Sequence, residues 1–233
     1  MRLLIVASES FEFAGLLSRA GDVRRSAVRS DWSRTARLGS HELLLLANGA
    51  GVHRAAAALG QALPTFKADA LVSTGLCGAL SPELKPADIV VATGVVHGEF
   101  RYRTAELECS RPHLRGLVRT IDHVAQTAEE KGLLYRSGAV AVEMEAGAVA
   151  ASAQKAALPF FCIKAVSDLA NETLENDLNT ALRPDGHFDT IKILGSTLRH
   201  PLIRVPELIR LWRRSARAAD SLGDFFCRLP ILS

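Results

Sequence analysis

Two nearby stretches, AVEMEAG at residues 141–147 and FFCIKAVSD at residues 160–168, decide the fold class of this chain. The first predicts a strand that runs into a small-residue helix, with Glu143 and Glu145 at the junction. The second is too short and too apolar for an amphipathic helix, so it predicts a central strand covered on both faces. Asp168 then follows the carboxyl end of that strand, which is the edge of an α/β sheet where ligands bind.

Strands and helices alternate through the rest of the chain. Predicted strands cover residues 3–7, 42–47, 70–73, 88–96, 116–120, 139–142 and 160–166, and predicted helices cover 12–20, 52–63, 127–131 and 146–157. This alternation predicts a three-layer α/β/α sandwich around a mixed, largely parallel sheet. The 233 residues fit a single domain over 1–233, with residues 196–233 as a basic amphipathic tail.

Composition argues against several classes of function. The formal net charge of +3, with 23% charged residues, gives no reason to propose a nucleic-acid partner. The four cysteines are widely spaced and form no metal-ligand pattern, so we expect no disulfide, no metal and a reducing, cytoplasmic location. No window approaches the roughly 20 apolar residues that a membrane span requires.

The two glutamates of the first stretch suit a site that binds a vicinal diol. A helix N-terminus carries partial positive charge, so Glu143 and Glu145 are stabilised there as anions. An anionic carboxylate can accept two hydrogen bonds from a vicinal diol. Taken singly, a glutamate at a helix start is often only a cap, and Ser167-Asp168 after a strand is often only a turn.

Small residues and glycines follow three of the predicted strands, where a ligand can approach the backbone. These segments are SESFE at residues 8–12, NGAG at 48–51, which contains Ala50, and STGLCGAL at 73–80, which contains Cys77 and Gly78. Their N–H groups can face an anion or ligand oxygens. None matches a Walker loop or a complete GxGxxG motif, so nucleoside triphosphates and dinucleotide cofactors are not expected.

Four motifs together resemble the purine nucleoside phosphorylase and methylthioadenosine/adenosylhomocysteine nucleosidase superfamily. They are STGLCGAL at 73–80, LKPADIVV at 84–91, VEME at 142–145 and VSD at 166–168, and they occur in family order. Within the superfamily, RPDG at 183–186, RHP at 199–201 and the arginine-rich helix that follows are similar to the hopanoid-associated phosphorylase family.

The resemblance implies a three-layer fold and cleavage of the N-glycosidic bond of a purine nucleoside. Asp168 matches the acid that assists the leaving base near N7, with Ser167 helping to hold it. Glu145 matches the residue that binds the ribose 2′- and 3′-hydroxyls, and Met144 would pack beneath the ribose. Glu12 matches the carboxylate that positions and deprotonates water.

The remaining substrate-binding residues come from neighbouring motifs. Ala50, Cys77 and Gly78 belong to the glycine segments, and Val124 occupies the base-stacking region, where it offers less area than the expected Phe. Glu143 is interpreted as a substrate-side residue or as a helix-end anion with no catalytic part. His123, beside Val124, is interpreted as a satisfied polar residue rather than a base.

Charge decides between water and phosphate as nucleophile. A phosphate needs cationic or N–H donors, and the first loop has no arginine, whereas the phosphorylases commonly place one there. We therefore favour water, activated by Glu12, with inorganic phosphate as the alternative co-substrate and no other cofactor. Two departures from the nucleosidases bear on the substrate: Leu76 replaces their usual Ser, and Lys164 replaces their usual Arg.

The end of the chain predicts a helix that starts at Pro206. Its apolar positions include Leu211, Trp212, Leu222 and Phe226, and arginines occupy other positions. Such a helix over 206–229 is compatible with an anionic membrane surface, giving peripheral contact at the inner membrane. Packing on the domain or across a dimer is the simpler interpretation.

Three functions remain open at this point. The hopanoid resemblance implies cleavage of adenine from adenosylhopane, a lipid-linked nucleoside. A salvage nucleosidase for methylthioadenosine or adenosylhomocysteine differs from it only in the 5′ pocket. A purine nucleoside-binding protein without turnover is disfavoured because Glu12, Glu145 and Asp168 are all retained. The superfamily also implies a homo-oligomer, with a dimer favoured.

Overall fold

The computed structural model of the protein describes residues 1–107 and 109–229. The strands are β1 (Arg2–Ala7), β2 (Gly21–Arg25), β3 (Trp32–Leu38), β4 (His41–Ala47), β5 (Ala70–Ser73), β6 (Leu76–Ala79), β7 (Ile89–His97), β8 (Phe100–Arg103), β9 (Leu114–Thr120), β10 (Ala139–Glu143) and β11 (Phe160–Asp168). The α-helices are α1 (Ala14–Leu17), α2 (Val52–Ala62), α3 (Ala128–Arg136), α4 (Ala146–Ala156), α5 (Leu178–Ala181), α6 (Thr190–Thr197) and α7 (Pro201–Phe226), and a 3-10 helix, Ser10–Phe13, precedes α1.

The strands form one mixed sheet in the order β2-β3-β4-β1-β5-β11-β6-β10-β9-β7-β8. The pairs β4–β1, β1–β5, β5–β11, β11–β6, β10–β9 and β9–β7 are parallel, whereas β6–β10 and the outer pairs β2–β3, β3–β4 and β7–β8 are antiparallel. β11 also pairs antiparallel with β7, so β11, β6, β10, β9 and β7 close into a ring. β11 therefore joins the open half of the sheet to its closed half.

Each face of the sheet has its own hydrophobic core. Successive side chains of a strand point to opposite faces, so β1 sends Leu4 and Val6 into one core and Leu3 and Ile5 into the other. Helices α2 and α4 cover the first core, and α1 and α7 cover the second. The predicted three-layer α/β/α sandwich around a mixed sheet is confirmed.

Helices α1 and α7 touch backbone to backbone at a pair of glycines. A Cβ added to Gly15 would lie 2.2 Å from the Ala219 carbonyl oxygen, and one added to Gly223 would lie 2.1 Å from the Gly15 carbonyl carbon. Arg19 reinforces this crossing through a 2.7 Å ion pair with Asp220. The 3-10 helix that carries Glu12 is thus continuous with an element braced by α7.

All seven predicted strands are present, with ends that differ by at most two residues. Helices α2 and α4 match their predictions closely, whereas α3 extends five residues beyond the predicted end at 131. The prediction of one helix over 12–20 is wrong, because a 3-10 turn and a four-residue helix stand there. Strands β2, β3, β6 and β8 were not predicted.

The prediction that the last helix starts at Pro206 is wrong, because α7 begins at Pro201 and contains Pro206 inside its second turn. Proline suits the first helical position, and the acceptor that Pro206 leaves without an N–H partner belongs to Leu202, which is 91% exposed and open to water. Within residues 1–107 and 109–229, no helix combines the length and apolar content needed to cross a bilayer.

Candidate active site

A cavity of about 290 Å³ opens where the carboxyl ends of β1, β4, β10 and β11 meet β6. Five carboxylates line it: Glu9 and the four predicted site residues Glu12, Glu143, Glu145 and Asp168. Apolar side chains from the last third of the chain line it as well: Leu174, Leu178, Phe188 and Leu211. The cavity thus combines a strongly acidic wall with an apolar one.

Glu12 is held by hydrogen bonds on both carboxylate oxygens. Oε2 accepts from the backbone N–H groups of Ser8 and Glu9, each at 2.8 Å, and from the Ser8 hydroxyl at 3.1 Å. Oε1 accepts from the Leu76 N–H at 2.8 Å. Burial raises the pKa of Glu12, and the N–H donors of Glu9 and Leu76 offset part of that rise. A buried carboxylate with a raised pKa suits a general base.

Gly75 makes this position of Glu12 compatible with the sheet. Its φ of +108° is a conformation that side-chain-bearing residues rarely adopt, and an added Cβ would lie 2.8 Å from Glu12 Oε1. Gly75 therefore lets the chain turn between β5 and β6, and it leaves room for the Glu12 carboxylate.

Glu143 and Lys164 form a fully buried ion pair at 2.8 Å. Burial alone would raise the pKa of Glu143, but the Lys164 charge and its hydrogen bond hold that pKa below its ordinary value. Glu143 Oε2 also accepts from the N–H groups of Glu145 and Ala146, and Oε1 accepts from the Thr120 hydroxyl at 2.5 Å. Glu143 thus anchors the start of α4, as a helix-end anion does.

Lys164 is a buried cation that lies against the acidic wall. Its ammonium donates to the Thr74 carbonyl at 2.8 Å and lies 3.7 Å from Glu145 Oε2. Burial would lower its pKa, but Glu143 and Glu145 outweigh that and raise it. Lys164 is therefore charged and committed mainly to Glu143.

Of the four predicted carboxylates, Glu145 accepts the fewest hydrogen bonds from the protein. Its Oε1 accepts a 3.0 Å hydrogen bond from the Gly51 N–H. Burial raises its pKa to about 7, with Lys164 offsetting part of the rise and the charges of Glu143 and Glu12 adding to it. A carboxylate with so few donors retains acceptor capacity for hydroxyl groups of a ligand.

Asp168 lies at the end of β11 and faces the cavity. The Ser167 hydroxyl donates to its Oδ1 at 2.7 Å, and the Lys131 ammonium donates to its Oδ2 at 2.5 Å. Gly78 lets the carboxylate approach β6, since an added Cβ would lie 3.1 Å from Asp168 Oδ2. Both carboxylate oxygens are therefore fixed from the protein side.

The other predicted substrate-binding residues also line this cavity: Ala50, Cys77, Gly78, Val124, Met144 and Ser167. Burial raises the pKa of Cys77 well above its ordinary value, so the group offered there is a neutral thiol. His123 lines the cavity too, and its ring nitrogens bond Asp122 and Glu130. Those two partners raise the pKa of His123 and satisfy both ring nitrogens, in agreement with its interpretation as a satisfied polar residue.

Sequence reasoning missed Lys131 and the apolar wall. Lys131 lies 37 residues from Asp168 in sequence and gives no local signal that would pair the two. Phe188 reaches the cavity because the preceding segment is tied down, with the His187 ring bonded to Glu9 and Asp31, each at 2.9 Å. Such long-range contacts leave no periodicity in the sequence.

Arg24, Arg25 and Arg54 do not line the cavity, so none of them is placed to bind a phosphate there. Arg54 forms an ion pair with Asp31 and donates to the Asn48 carbonyl, while Arg24 and Arg25 lie on the exposed strand β2. Among the described residues, the cavity is lined by no lysine or arginine. Within residues 1–107 and 109–229, no cluster of three His, Cys, Asp or Glu side chains has the geometry of a metal site.

A family model described as the phosphorylase superfamily matches residues 2–120 and 110–185 of the chain. The chain belongs to the phosphorylase superfamily. This superfamily member is an enzyme of the nucleoside phosphorylase and nucleosidase type, as its motifs predict.

Two curated relatives of this superfamily member are 5′-methylthioadenosine/S-adenosylhomocysteine nucleosidases. The protein of Geobacillus thermodenitrificans is 29% identical over 217 residues, covering 78% of this chain and 92% of the relative. That of Staphylococcus aureus strain JH9 is 26% identical over 167 residues, covering 59% of this chain and 73% of the relative.

Solved structures show the same fold. The Helicobacter pylori 5′-methylthioadenosine/S-adenosylhomocysteine nucleosidase superposes with a TM-score of 0.72 at 16% identity, covering 97% of this chain and 96% of that one. The Streptococcus pyogenes S-adenosylhomocysteine nucleosidase, bound to 5-methylthiotubericidin, gives 0.67 at 23% identity over 96% and 97%.

Proposed function

We propose that the protein hydrolyses the N-glycosidic bond of an adenine nucleoside that carries an apolar 5′ substituent. The observation that carries this proposal is the acidic wall, in which the buried carboxylates of Glu12, Glu143 and Glu145 line one cavity. The buried ammonium of Lys164 pairs with Glu143 and lies near Glu145. The names of the two relatives described above, both nucleosidases, support the same reaction class.

In this reaction, one oxygen–carbon bond forms and one carbon–nitrogen bond breaks. Glu12 accepts a proton from water as the water oxygen attacks C1′ of the ribose. The C1′–N9 electron pair departs with the purine, and Asp168 supplies a proton at N7. Glu145 accepts hydrogen bonds from the 2′- and 3′-hydroxyls, and Met144 packs beneath the sugar.

The charge of the wall favours a cationic transition state. The sugar becomes oxocarbenium-like as the base leaves, and carboxylates that are already fixed in place stabilise that charge without reorganising. An incoming phosphate anion would instead face the same carboxylates with no arginine among the described residues of the cavity. Water is therefore the proposed nucleophile, and phosphorolysis is the outcome that would refute it.

The 5′ group is proposed from the apolar wall. This wall offers apolar contact to a methylthio group or to a larger hydrocarbon. It offers no charged group to the amino-acid part of an adenosylhomocysteine-type substrate. Its residues are Leu174, Leu178, Phe188 and Leu211. A methylthioadenosine-type nucleoside agrees with the relatives. Adenosylhopane, suggested by the resemblance of the chain's end to the hopanoid-associated family, is the second candidate and would extend from this wall into a bilayer.

Peripheral membrane contact is proposed for one surface, which we call the α6–α7 patch. It consists of exposed apolar side chains on and between α6 and the first half of α7: Ile191, Leu194, Leu198, Leu202, Ile203, Val205, Ile209 and Trp212. Arg210, Arg213 and Arg217 line an adjoining groove on α7, which suits anionic headgroups. Leu211, beside Trp212, lines the cavity, so the patch lies next to the proposed 5′ end.

The first experiment measures adenine release with and without phosphate and identifies the sugar product by mass. Methylthioadenosine and detergent-dispersed adenosylhopane are compared as substrates, with Glu12→Gln and Asp168→Asn as inactive variants. A free ribosyl product, formed at the same rate without phosphate, is expected. A ribosyl phosphate would refute hydrolysis, and no adenine release would favour a binding protein.

Two further measurements test the proposed partners. Flotation with phosphatidylglycerol vesicles is expected to retain the protein, and Leu202→Ser/Trp212→Ser is expected to lose that retention; equal recovery with both proteins would refute contact through the patch. Sedimentation is expected to give a homodimer, and a monomer at micromolar concentration would refute that.

A further inference from the structure

Lys131 is a buried cation with no part in the reaction described so far. It lies on α3, and among the residues of that helix, all within the described part of the chain, it is the one buried residue. Its side chain is 0% exposed, whereas Leu133 and Tyr135 of the same helix are 56% and 43% exposed. This helix buries its lysine while it exposes two of its apolar side chains. Burying an ammonium is costly without partners, so we expect the Lys131 charge to be held by specific acceptors.

The three donors of this ammonium have three acceptors. Asp168 Oδ2 accepts at 2.5 Å, the Leu169 carbonyl at 2.9 Å and the Glu172 carbonyl at 3.3 Å. Lys131 therefore binds the proposed acid and both ends of the turn that follows it. Lys131 does not line the cavity, so it acts on a substrate only through Asp168.

We infer that Lys131 is a positioning residue for Asp168. It fixes Oδ2 and the turn 169–172, while Ser167 fixes Oδ1, so the carboxyl group faces the purine in one orientation. This inference rests on the proposed role of Asp168 as the acid that assists the leaving base. Precise placement of an acid counts, because a small misplacement of a catalytic group can cost about 100-fold in rate.

The test compares two leaving groups on the same ribose. Adenine departs with a proton at N7, whereas the 4-nitrophenolate of 4-nitrophenyl β-ribofuranoside departs without one. Lys131→Met is expected to lower kcat for the adenine nucleoside about 10- to 100-fold with little change in KM, since general acid catalysis supplies about 10²- to 10⁴-fold. The rate with the nitrophenyl riboside is expected to stay within about twofold.

The double variant Lys131→Met/Asp168→Asn is expected to match Asp168→Asn alone, because a positioning residue has no effect without the group it positions. Lys131→Arg, which keeps the charge, is expected to recover part of the rate. Lys131→Gln replaces Lys131→Met if the latter does not fold. The nitrophenyl riboside rate reports on the folded site in the single variants of Lys131.

Two outcomes would overturn the inference. An equal fall with both leaving groups would assign Lys131 a structural role alone, and an unchanged adenine rate in a folded Lys131→Met protein would assign it none in catalysis. If Asp168→Asn itself keeps full adenine release, the proposed role of Asp168 fails first, so the two failures are distinguishable.

Discussion

At the scale of single residues, Glu145 makes activity depend on pH. Its pKa is raised to about 7, chiefly by burial, so below that pH it is protonated and has less capacity to accept the ribose hydroxyls. We expect kcat/KM, which reports groups of the free enzyme, to fall toward tenfold per pH unit below about pH 7. Glu145→Gln should be slow and lack this limb, and a flat wild-type profile from pH 5 to 8 would contradict the assignment.

The same raised pKa has a defined effect on stability. Because the folded state holds the Glu145 proton more tightly than the unfolded chain does, this contribution to stability is present below the ordinary value of 4.5. It is lost as the pH rises from there through about 7. Urea unfolding of the ligand-free protein at several pH values, compared with Glu145→Gln, separates this residue from the other titrating groups.

Lys164 should matter for stability as well as for the site. Removing one partner of a buried ion pair leaves the other charge uncompensated, at a cost of about 3–5 kcal/mol. Lys164→Met is therefore expected to lower the free energy of unfolding by about that amount, measured by urea denaturation. Adding Glu143→Gln to it should restore part of the loss, and a double variant as unstable as the sum of both changes would contradict the pairing.

Gly75 should tolerate no side chain. Gly75→Ala would need a φ of +108° and would place a Cβ 2.8 Å from Glu12 Oε1, so we expect a loss of about 1–3 kcal/mol and a marked fall in kcat. Gly60→Ala is the matched control, since Gly60 lies in helix α2 with nothing within 4 Å of an added Cβ. That control should stabilise by roughly 0.5–1 kcal/mol; equal effects at both positions would refute the role of Gly75.

At the scale of elements, the strands that the sequence predicted most clearly are the largely buried ones. β1, β4 and β11 are buried along almost their whole length, and no helical pattern competes with them. β2 was missed because all five of its residues are exposed at the sheet edge and show no alternation. β6 was missed because four residues with a glycine are also typical of a turn.

The candidate site was predictable to the extent that it follows strand ends. Glu145 and Asp168 belong to the motifs VEME and VSD, Glu12 ends the segment 8–12 after β1, and all three line one cavity. Lys131 and Phe188 were not predictable, because their places depend on tertiary contacts between distant segments. The predicted roles of the residues themselves stay predictions until the variants are measured.

Helix α7 divides into two halves with different surroundings. Part of the stripe over 206–229 that was predicted to face a membrane faces the protein interior instead. Its buried residues are Ala219, Leu222, Phe226 and Leu229. Trp212, in contrast, is 72% exposed. The apolar side chains of the two halves therefore have different surroundings. Those of the second half cover the sheet, and those of the first half are presented to the outside.

This division predicts that truncating a side chain in each half of α7 has unequal effects on the free energy of unfolding. Leu222→Ala is expected to cost about 2–5 kcal/mol, because it opens a cavity in the core beside Phe225. Trp212→Ala, although it removes a larger side chain, should change the free energy of unfolding by no more than about 0.5 kcal/mol. Urea denaturation of both variants checks the pair, and a large loss for Trp212→Ala would place it in a contact within the protein.

At the scale of the whole molecule, the cavity collects residues from nearly the full length of the chain, from Ser8 to Ser215. The ring of five strands holds β6, β10 and β11 in register, and their carboxyl-end or neighbouring segments supply Glu143, Asp168 and Gly78. The open half of the sheet supplies Glu12 and Ala50. The cavity therefore lies at the seam between the two halves, so small shifts between them would change its acidic wall.

The glycine crossing of α1 and α7 has a consequence for biosynthesis. Arg19 and Asp220, which reinforce the crossing, are 201 residues apart in sequence, so α1 leaves the ribosome long before its partner helix exists. The four-residue α1 is too short to persist alone. We therefore expect the segment that carries Glu12 to be the last part of the site to settle, with the nascent chain catalytically silent until α7 has emerged and docked.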